Sequence, residues 1–233
     1  MKTIKFFLIF PSMFFCITSY SQISFDLHAG VNIGNLRTRI YGSREKGFKP
    51  AIGYTIPIHI NIPLSKSLFF QTGLAFESVH HKFDRTNYYD NPPISQVQRF
   101  TSKSHLDYIN IPLKIYYKVN SIFAVGFGPF IGIGIAGRDK GNNTLETTNS
   151  AVTTTEGFRF DNKVKFGLST SEVKRLNLGL SLNLAYLFSE KYIVGLYSNF
   201  GLRSTNNNDN IDSKTITGGL TIGYRFLKKR AGK

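Results

Sequence analysis

The sequence predicts an all-β protein, an eight-stranded antiparallel up-and-down transmembrane β-barrel. Three observations carry that prediction: one segment of strict alternation, eight segments that share its period, and connections that alternate short and long. The clearest segment spans residues 176–188. Leu176, Leu178, Leu180, Leu182, Leu184, Tyr186 and Phe188 occupy one face, and Asn177, Gly179, Ser181, Asn183, Ala185 and Leu187 the other. Successive side chains of a strand point to opposite faces, so this is a strand with one strongly apolar side. A soluble sheet burying those leucines would turn Lys, Glu and Thr toward water. Here the second face is small and nearly charge-free, as the inside of a narrow barrel must be when its outside meets lipid.

Targeting precedes folding. Residues 1–21 read as a cleaved secretory leader, with Lys2 and Lys5 before an apolar run from Phe6 to Ile17 and a Ser19-Tyr20-Ser21 cleavage site before Gln22. The run is shorter than the roughly 20 residues a membrane helix needs, which disfavours an uncleaved anchor. Cys16 is the sole cysteine. Phe14 and Phe15 precede it where an acylation site wants small residues, so it reads as filler lost with the leader. The mature chain, 22–233, then offers neither disulfides nor thiolate metal ligands.

The strands follow in order. The first, residues 23–37, sets Phe25, Leu27, Val31 and Ile33 against Asp26, His28, Asn32 and Gly34. The second, 48–64, sets Ile52, Tyr54, Ile56, Ile58, Ile60 and Ile62 against Thr55, His59 and Asn61. The others cover 68–85, 105–119, 122–138, 176–188, 192–205 and 215–226. Between them Ser65-Lys66-Ser67, Asn120-Ser121 and Ser189-Glu190-Lys191 are hairpin-length turns, whereas 38–47, 86–104, 139–175 and 206–214 are long. Short turns on one side, long loops on the other and an even strand number are the habit of outer-membrane barrels, and they put both termini in the periplasm.

The fifth strand turns Ala124, Gly126, Gly128, Phe130, Gly132 and Gly134 inward, which suits strong curvature and little interior room. Pro57, Pro112 and Pro129 sit inside strands, where each removes a ladder bond, so bulges are expected there. Val164, Phe166 and Leu168 alternate with Lys163, Lys165 and Gly167 inside the third long loop; this stretch either extends the sixth strand or forms its own hairpin. Phe69, Tyr117, Phe123, Phe188, Tyr192 and Phe226 cluster at the short-turn end like an interfacial girdle.

Charge is strongly positive, with 29 Lys and Arg against 14 Asp and Glu. The cations are scattered, apart from Lys228-Lys229-Arg230, and no nucleic-acid motif accompanies them, which excludes nucleic acid as a partner. Anionic headgroups or acidic glycans suit positive loops better. The inward charges are Asp26, Glu77, Lys114, Lys118, Arg203 and Arg225, with His28 and His59. Buried charges must be paired, so an ion-pair network of Asp26, Glu77, Lys114, Arg203 and Arg225 is expected. Asp26 faces Arg225 across the closing strands, and Glu77 meets Lys114 across the third and fourth. The tandem His80-His81 diverges to opposite faces, and with Ser78 it is the only candidate for acid–base or nucleophilic work at the rim. No cofactor, metal or catalytic motif is evident.

Four stretches together carry a family resemblance: Gly30-Val31-Asn32-Ile33-Gly34-Asn35-Leu36, the run Tyr108 to Tyr117 containing Ile111-Pro112-Leu113, Gly126-Phe127-Gly128-Pro129-Phe130-Ile131-Gly132, and Gly223-Tyr224-Arg225-Phe226. With the Ser-Gln cleavage site, the chain resembles the PorT-like outer-membrane β-barrel family of the Bacteroidota. The basic tail 227–233 departs from barrels that stop at an aromatic residue. The resemblance implies an outer-membrane location and a link to type IX protein secretion through the family's namesake; a non-enzymatic structural or interaction role is the leading functional expectation. Expected partners are outer-membrane lipids, the barrel-assembly machinery during insertion, and envelope or secretion-system proteins. A narrow pore and a lipid-modifying enzyme are the alternatives.

Overall fold

The structure, a computed structural model, describes residues 23–227 except 92–93, 150–151, 168, 170–171 and 189–190. The expected leader with Cys16, the Ser189-Glu190 turn residues, Leu168 and the Lys228-Lys229-Arg230 cluster lie outside the described residues. The described strands are β1 (Ser24–Ile40), β2 (Ser43–Arg44), β3 (Phe48–Pro63), β4 (Leu68–Asn91), β5 (Ile94–Pro112) and β6 (Lys114–Lys118). They continue with β7 (Phe123–Asn149), β8 (Val152–Lys163), β9 (Leu176–Leu187), β10 (Tyr192–Gly201) and β11 (Ile211–Leu227).

Eight strands make the ring. β5 and β6 are one strand interrupted at Leu113, because Pro112↔Phe130 and Ile115↔Phe127 continue a single register against β7. The order runs β1, β3, β4, β5/β6, β7, β9, β10, β11, and β11 pairs back with β1 from Ser24↔Leu227 to Ile40↔Ile211. β2 only caps the end of β1, and among the described residues β8 pairs with β7 alone.

Polarity is inverted relative to a soluble barrel. Ile52 is 71% exposed and Val31, Ile33 and Ile58 are exposed with it, while Asn32 is 1% exposed and Thr55, Gln71 and Asn110 are buried. Apolar groups on the outside cost nothing in hydrocarbon, and the polar groups inside bond one another. The inward glycines have a specific purpose. A Cβ at Gly126 would run into the Tyr116 ring, and one at Gly134 into the Phe166 ring. Glycine on one strand therefore makes room for an aromatic side chain from elsewhere.

Several expectations need correcting. Residues 86–91, 94–104 and much of 139–175 are strands rather than loops: β4 and β5 stay paired to Asn91↔Ile94, and β7 and β8 to Asn149↔Val152. The threonines of β7 and β8 and the Tyr, Val and Phe residues of β4 and β5 favour strand, and polar groups on both faces are tolerated where both faces meet water. Likewise 211–214, expected in a loop, already belongs to β11. A crossing needs roughly 9–11 residues, so the rest of β4, β5, β7 and β8 stands clear of the membrane as a four-stranded blade. Phe48, Phe83, Phe100 and Phe160 run across its inner side, with successive ring centroids 4.8, 5.7 and 5.5 Å apart.

The prolines are accommodated without bulges of their own. The β1–β3 ladder keeps one register on either side of Pro57, from Leu27↔Ile58 to Gly30↔Thr55, and merely loses rungs between. At Pro112 the strand breaks for one residue, where Leu113 N donates to Pro129 O at 2.9 Å. The register shifts fall instead between Pro50 and Tyr54 and between Asp107 and Tyr108. Phe69 is not part of an outer girdle. It shares the inward phase of Gln71 and Glu77, is buried, and stacks on Tyr116 at 4.8 Å. Tyr117, Phe123, Phe188, Tyr192 and Phe226 do lie exposed.

Among the described residues, 164–167 and 172–175 belong neither to β9 nor to a hairpin of their own. Val164 and Phe166 pack on buried Val79, Leu106 and Tyr108, with Tyr108 and Phe166 edge-to-face at 6.1 Å. Single bridges tie Phe166 to Val173 and Val173 to Asn206. Val164 and Phe166 thus plug the barrel at the long-hairpin end.

The closing seam carries an ion pair. Asp26 sits opposite Arg225 in the ladder, and Arg225 Nε and Nη2 donate to Asp26 Oδ1 and Oδ2 at 2.8 and 2.9 Å. Asp26 is 1% exposed and Arg225 14%. Removing one partner of such a buried pair costs about 3–5 kcal/mol, while replacing both with apolar groups costs far less. Arg225→Met should therefore lower the temperature at which the folded, fast-migrating gel band disappears. Asp26→Leu combined with Arg225→Met should restore part of that loss, and an unchanged transition in the single variant would show that the pair contributes nothing.

Candidate functional site

The interior below the plug is a cavity of about 520 Å³, reaching from Glu77 down to Lys66, Lys118 and Asn120 at the short-turn end. Strand alternation selects its lining: the inward positions are mostly polar, glycine or aromatic, with a few aliphatic ones such as Ala75, Ala124 and Ile193. Three polar assemblies organise it.

The first is the seam pair, extended by Asn61, whose Nδ2 donates to Asp26 Oδ2 at 2.7 Å while its Oδ1 accepts from Gln71 Nε2 at 2.9 Å. Four strands, β11, β1, β3 and β4, are tied at this level. The second assembly centres on Glu77 of β4. Its carboxylate accepts from Asn110 Nδ2 at 2.6 Å, Thr217 Oγ1 at 2.9 Å, Tyr197 OH at 3.1 Å and Asn199 Nδ2 at 3.2 Å. Donors come from β5, β10 and β11, so the carboxylate bridges the full width of the barrel.

The third assembly replaces the expected Glu77–Lys114 ion pair. Glu77 lies opposite Tyr108, whereas Lys114 lies opposite Gln71, six residues lower and roughly 20 Å along the strand. Lys114 Nζ instead donates to Asn183 Oδ1 at 3.0 Å; Asn183 donates to Ser181, and Ser181 to Asn199, which reaches Glu77. The two charges are joined through three neutral side chains. Arg203 does not join the network. β10 ends at Gly201, so Arg203 falls past the last ladder rung, where alternation no longer sets direction, and it is exposed. Lys118 reaches only the cavity mouth, its Nζ 5.8 Å over the Phe69 ring.

Alternation points to Asn61, Asn110, Asn183, Tyr197, Asn199 and Thr217 as inward polar residues; their partners across the lumen depend on strand stagger, which no local pattern shows. His28 and His59 meet edge-to-face at 5.3 Å, and His28 Nε2 is 4.0 Å from Asp26 Oδ2, too long for a hydrogen bond. Both His28 ring nitrogens, His59 Nδ1 and Gln71 Oε1 are buried without a protein partner. Buried polar atoms of this kind are ordinarily satisfied by water. Among the described residues no three His, Cys, Asp or Glu side chains form a metal-binding group.

At the rim Ser78 Oγ lies 3.0 Å from His80 Nε2 and 2.5 Å from Asp107 Oδ1. A serine nucleophile needs the histidine between it and the carboxylate. Here Asp107 takes the serine hydroxyl directly, and Ser78 is buried. His81 faces the other way, inward beside Phe48 at 5.8 Å. The three residues form a polar knot and not a relay.

The chain is similar to several solved structures. Ail, the attachment invasion locus protein of Yersinia pestis, is 11% identical over 88% of this chain and 99% of its own, with a TM-score of 0.39. OprG from Pseudomonas aeruginosa is 12% identical over 89% and 97%, with a TM-score of 0.35. The outer membrane protease OmpT from Escherichia coli is 11% identical over 91% and 99%, with a TM-score of 0.32. No curated protein sequence matches the chain. The family model described as "Outer membrane protein beta-barrel domain" matches residues 18–207. The chain belongs to the outer membrane protein beta-barrel domain family, and its closed ring of eight strands with an apolar outside is the structural form of that membership.

Proposed function

We propose that the protein is a non-conducting outer-membrane mount, whose barrel anchors a rigid β-blade that contacts another component of the cell envelope or its surroundings. The observation that carries this reading is the unbroken length of β4 and β7, 24 and 27 residues. Either strand is more than twice what a crossing requires. A ladder continuing out of the membrane, backed by a phenylalanine row, supplies a fixed presenting surface. In this reading the blade is outside the cell and both termini are periplasmic, following the short-turn rule of outer-membrane barrels. An accessory role in type IX secretion, which the PorT-like resemblance suggests, is the specific form this function takes; the outer-membrane family match supports its location only.

Two measurements test the reading. The plug of Val79, Leu106, Tyr108, Val164 and Phe166 should keep the purified protein silent in planar-bilayer recordings, whereas Tyr108→Ala with Phe166→Ala should introduce small conductance steps. Steps from the unaltered protein would favour the narrow-pore reading. For orientation, Ser95→Cys should react with a membrane-impermeant maleimide on intact cells, and Lys66→Cys only after permeabilisation. The reverse pattern would place the blade in the periplasm.

A further inference from the structure

The blade's outward face and the adjoining start of β3 collect lysines that are far apart in the chain. Lys49 pairs with Lys82, Lys82 with Lys103, and Lys103 with Lys140, so four neighbouring strands bring four ammonium groups to one level. Directly opposed residues project to the same face with Cβ atoms roughly 4.5–5.5 Å apart, and like charges so placed repel. Neutralisation comes only at the ends of the row. Lys49 Nζ meets Asp84 at 2.8 Å, and Lys140 Nζ meets Asp161 at 3.2 Å. Asp161 also accepts from Arg138, whose guanidinium holds that carboxyl below the usual carboxylate range and keeps it ionised. Lys82 and Lys103, in the middle, have no carboxylate within 4.0 Å among the described residues.

The row lines a groove of about 440 Å³, with Lys82, Lys103, Lys140 and Arg159 against Asp84 and Asp161. One step nearer the barrel, the same face carries His80, His105, Arg138 and Lys163 in register. Below those lies the rung of Ser78, Asp107 and Ala136, where Ser78 takes up the Asp107 carboxylate, and beneath it the face is apolar from Phe76, Ile109 and Ile135 down. Lys140 lies five residues beyond Ile135, roughly 17 Å along the strand and about 12 Å in height at a ~45° tilt. With their flexible stems leaning back toward the bilayer, the lysines occupy the headgroup layer.

We propose that this face binds the phosphate groups of an anionic glycolipid headgroup in the outer leaflet, with Lys82 and Lys103 as the principal contacts. A lipid seated against Phe76 and Ile135 delivers its headgroup to this height. A soluble polyanion has no reason to prefer the base of the blade to its tip. The proposal takes from the preceding reading only that the blade is outside, and its test in detergent does not depend on that placement.

The test is native mass spectrometry of the folded mature chain in dodecyl maltoside, with diphosphoryl lipid A and the same lipid stripped of its phosphates. The unaltered protein should retain the phosphorylated form by about tenfold over the stripped one, as charge-assisted contacts of this kind provide. Lys82→Gln with Lys103→Gln should abolish that preference while leaving the heat-modified band unchanged. Arg37→Gln with Arg39→Gln removes equal charge from β1, away from the row, and should preserve it. Equal binding of both lipids, equal loss in the Arg37/Arg39 variant, or displacement by inorganic phosphate at matched concentration would each overturn the proposal.

Discussion

Hydrocarbon offers no hydrogen bonds, so a chain that crosses it in strands must pair every backbone group with another strand. Ring closure is therefore compulsory, and everything else in the molecule follows from it. The β1–β11 ladder removes the last two free edges within the membrane. Prolines are tolerated only as local gaps with the register kept on both sides, at Pro57 and again around Leu113. Outside the membrane the rule lapses. There β8 ends the blade with one edge unpaired among the described residues, which water can solvate.

Closure at eight strands also decides the interior. The bore is narrow enough for Glu77 on β4 to bond Tyr197 and Thr217 on the opposite wall. Such a bore cannot leave charge unpaired, yet it does not need direct ion pairs everywhere. Asp26 and Arg225 share a rung and pair directly; Glu77 and Lys114 sit six residues apart and are linked through amides and a hydroxyl. Amides suit this because each both donates and accepts, so a chain of them transmits polarity without carrying charge.

Alternation made the crossing segments legible, because lipid on one side and a crowded polar lumen on the other impose opposite demands on neighbouring residues. Leu176 to Phe188 shows both demands at once. Where those demands cease, so does the signal. Thr144, Thr147 and Thr148 have water on either face, and the stretch reads as loop although the ladder continues through it. Arg203 misleads for the related reason that parity is meaningless past the final rung. The lumen's inward residues were visible from phase, whereas their partners were not, since stagger between strands is a property of the whole ring. The same holds for the lysine row, whose members are 21 to 37 positions apart and meet only through register.

The seam also has a temporal meaning. Most rungs join strands adjacent in the chain, so their loops are short and form early. The seam joins Asp26 to Arg225 across 199 positions, and loop-closure entropy rises with that separation. Hairpin-by-hairpin growth shortens the effective loop, which leaves the seam as the last ladder to zip. Until it does, β1 and β11 carry open edges, and a buried carboxylate and guanidinium lack each other. Commitment to lipid and completion of the ring are then one event, and a chain halted before β11 has no way to complete it.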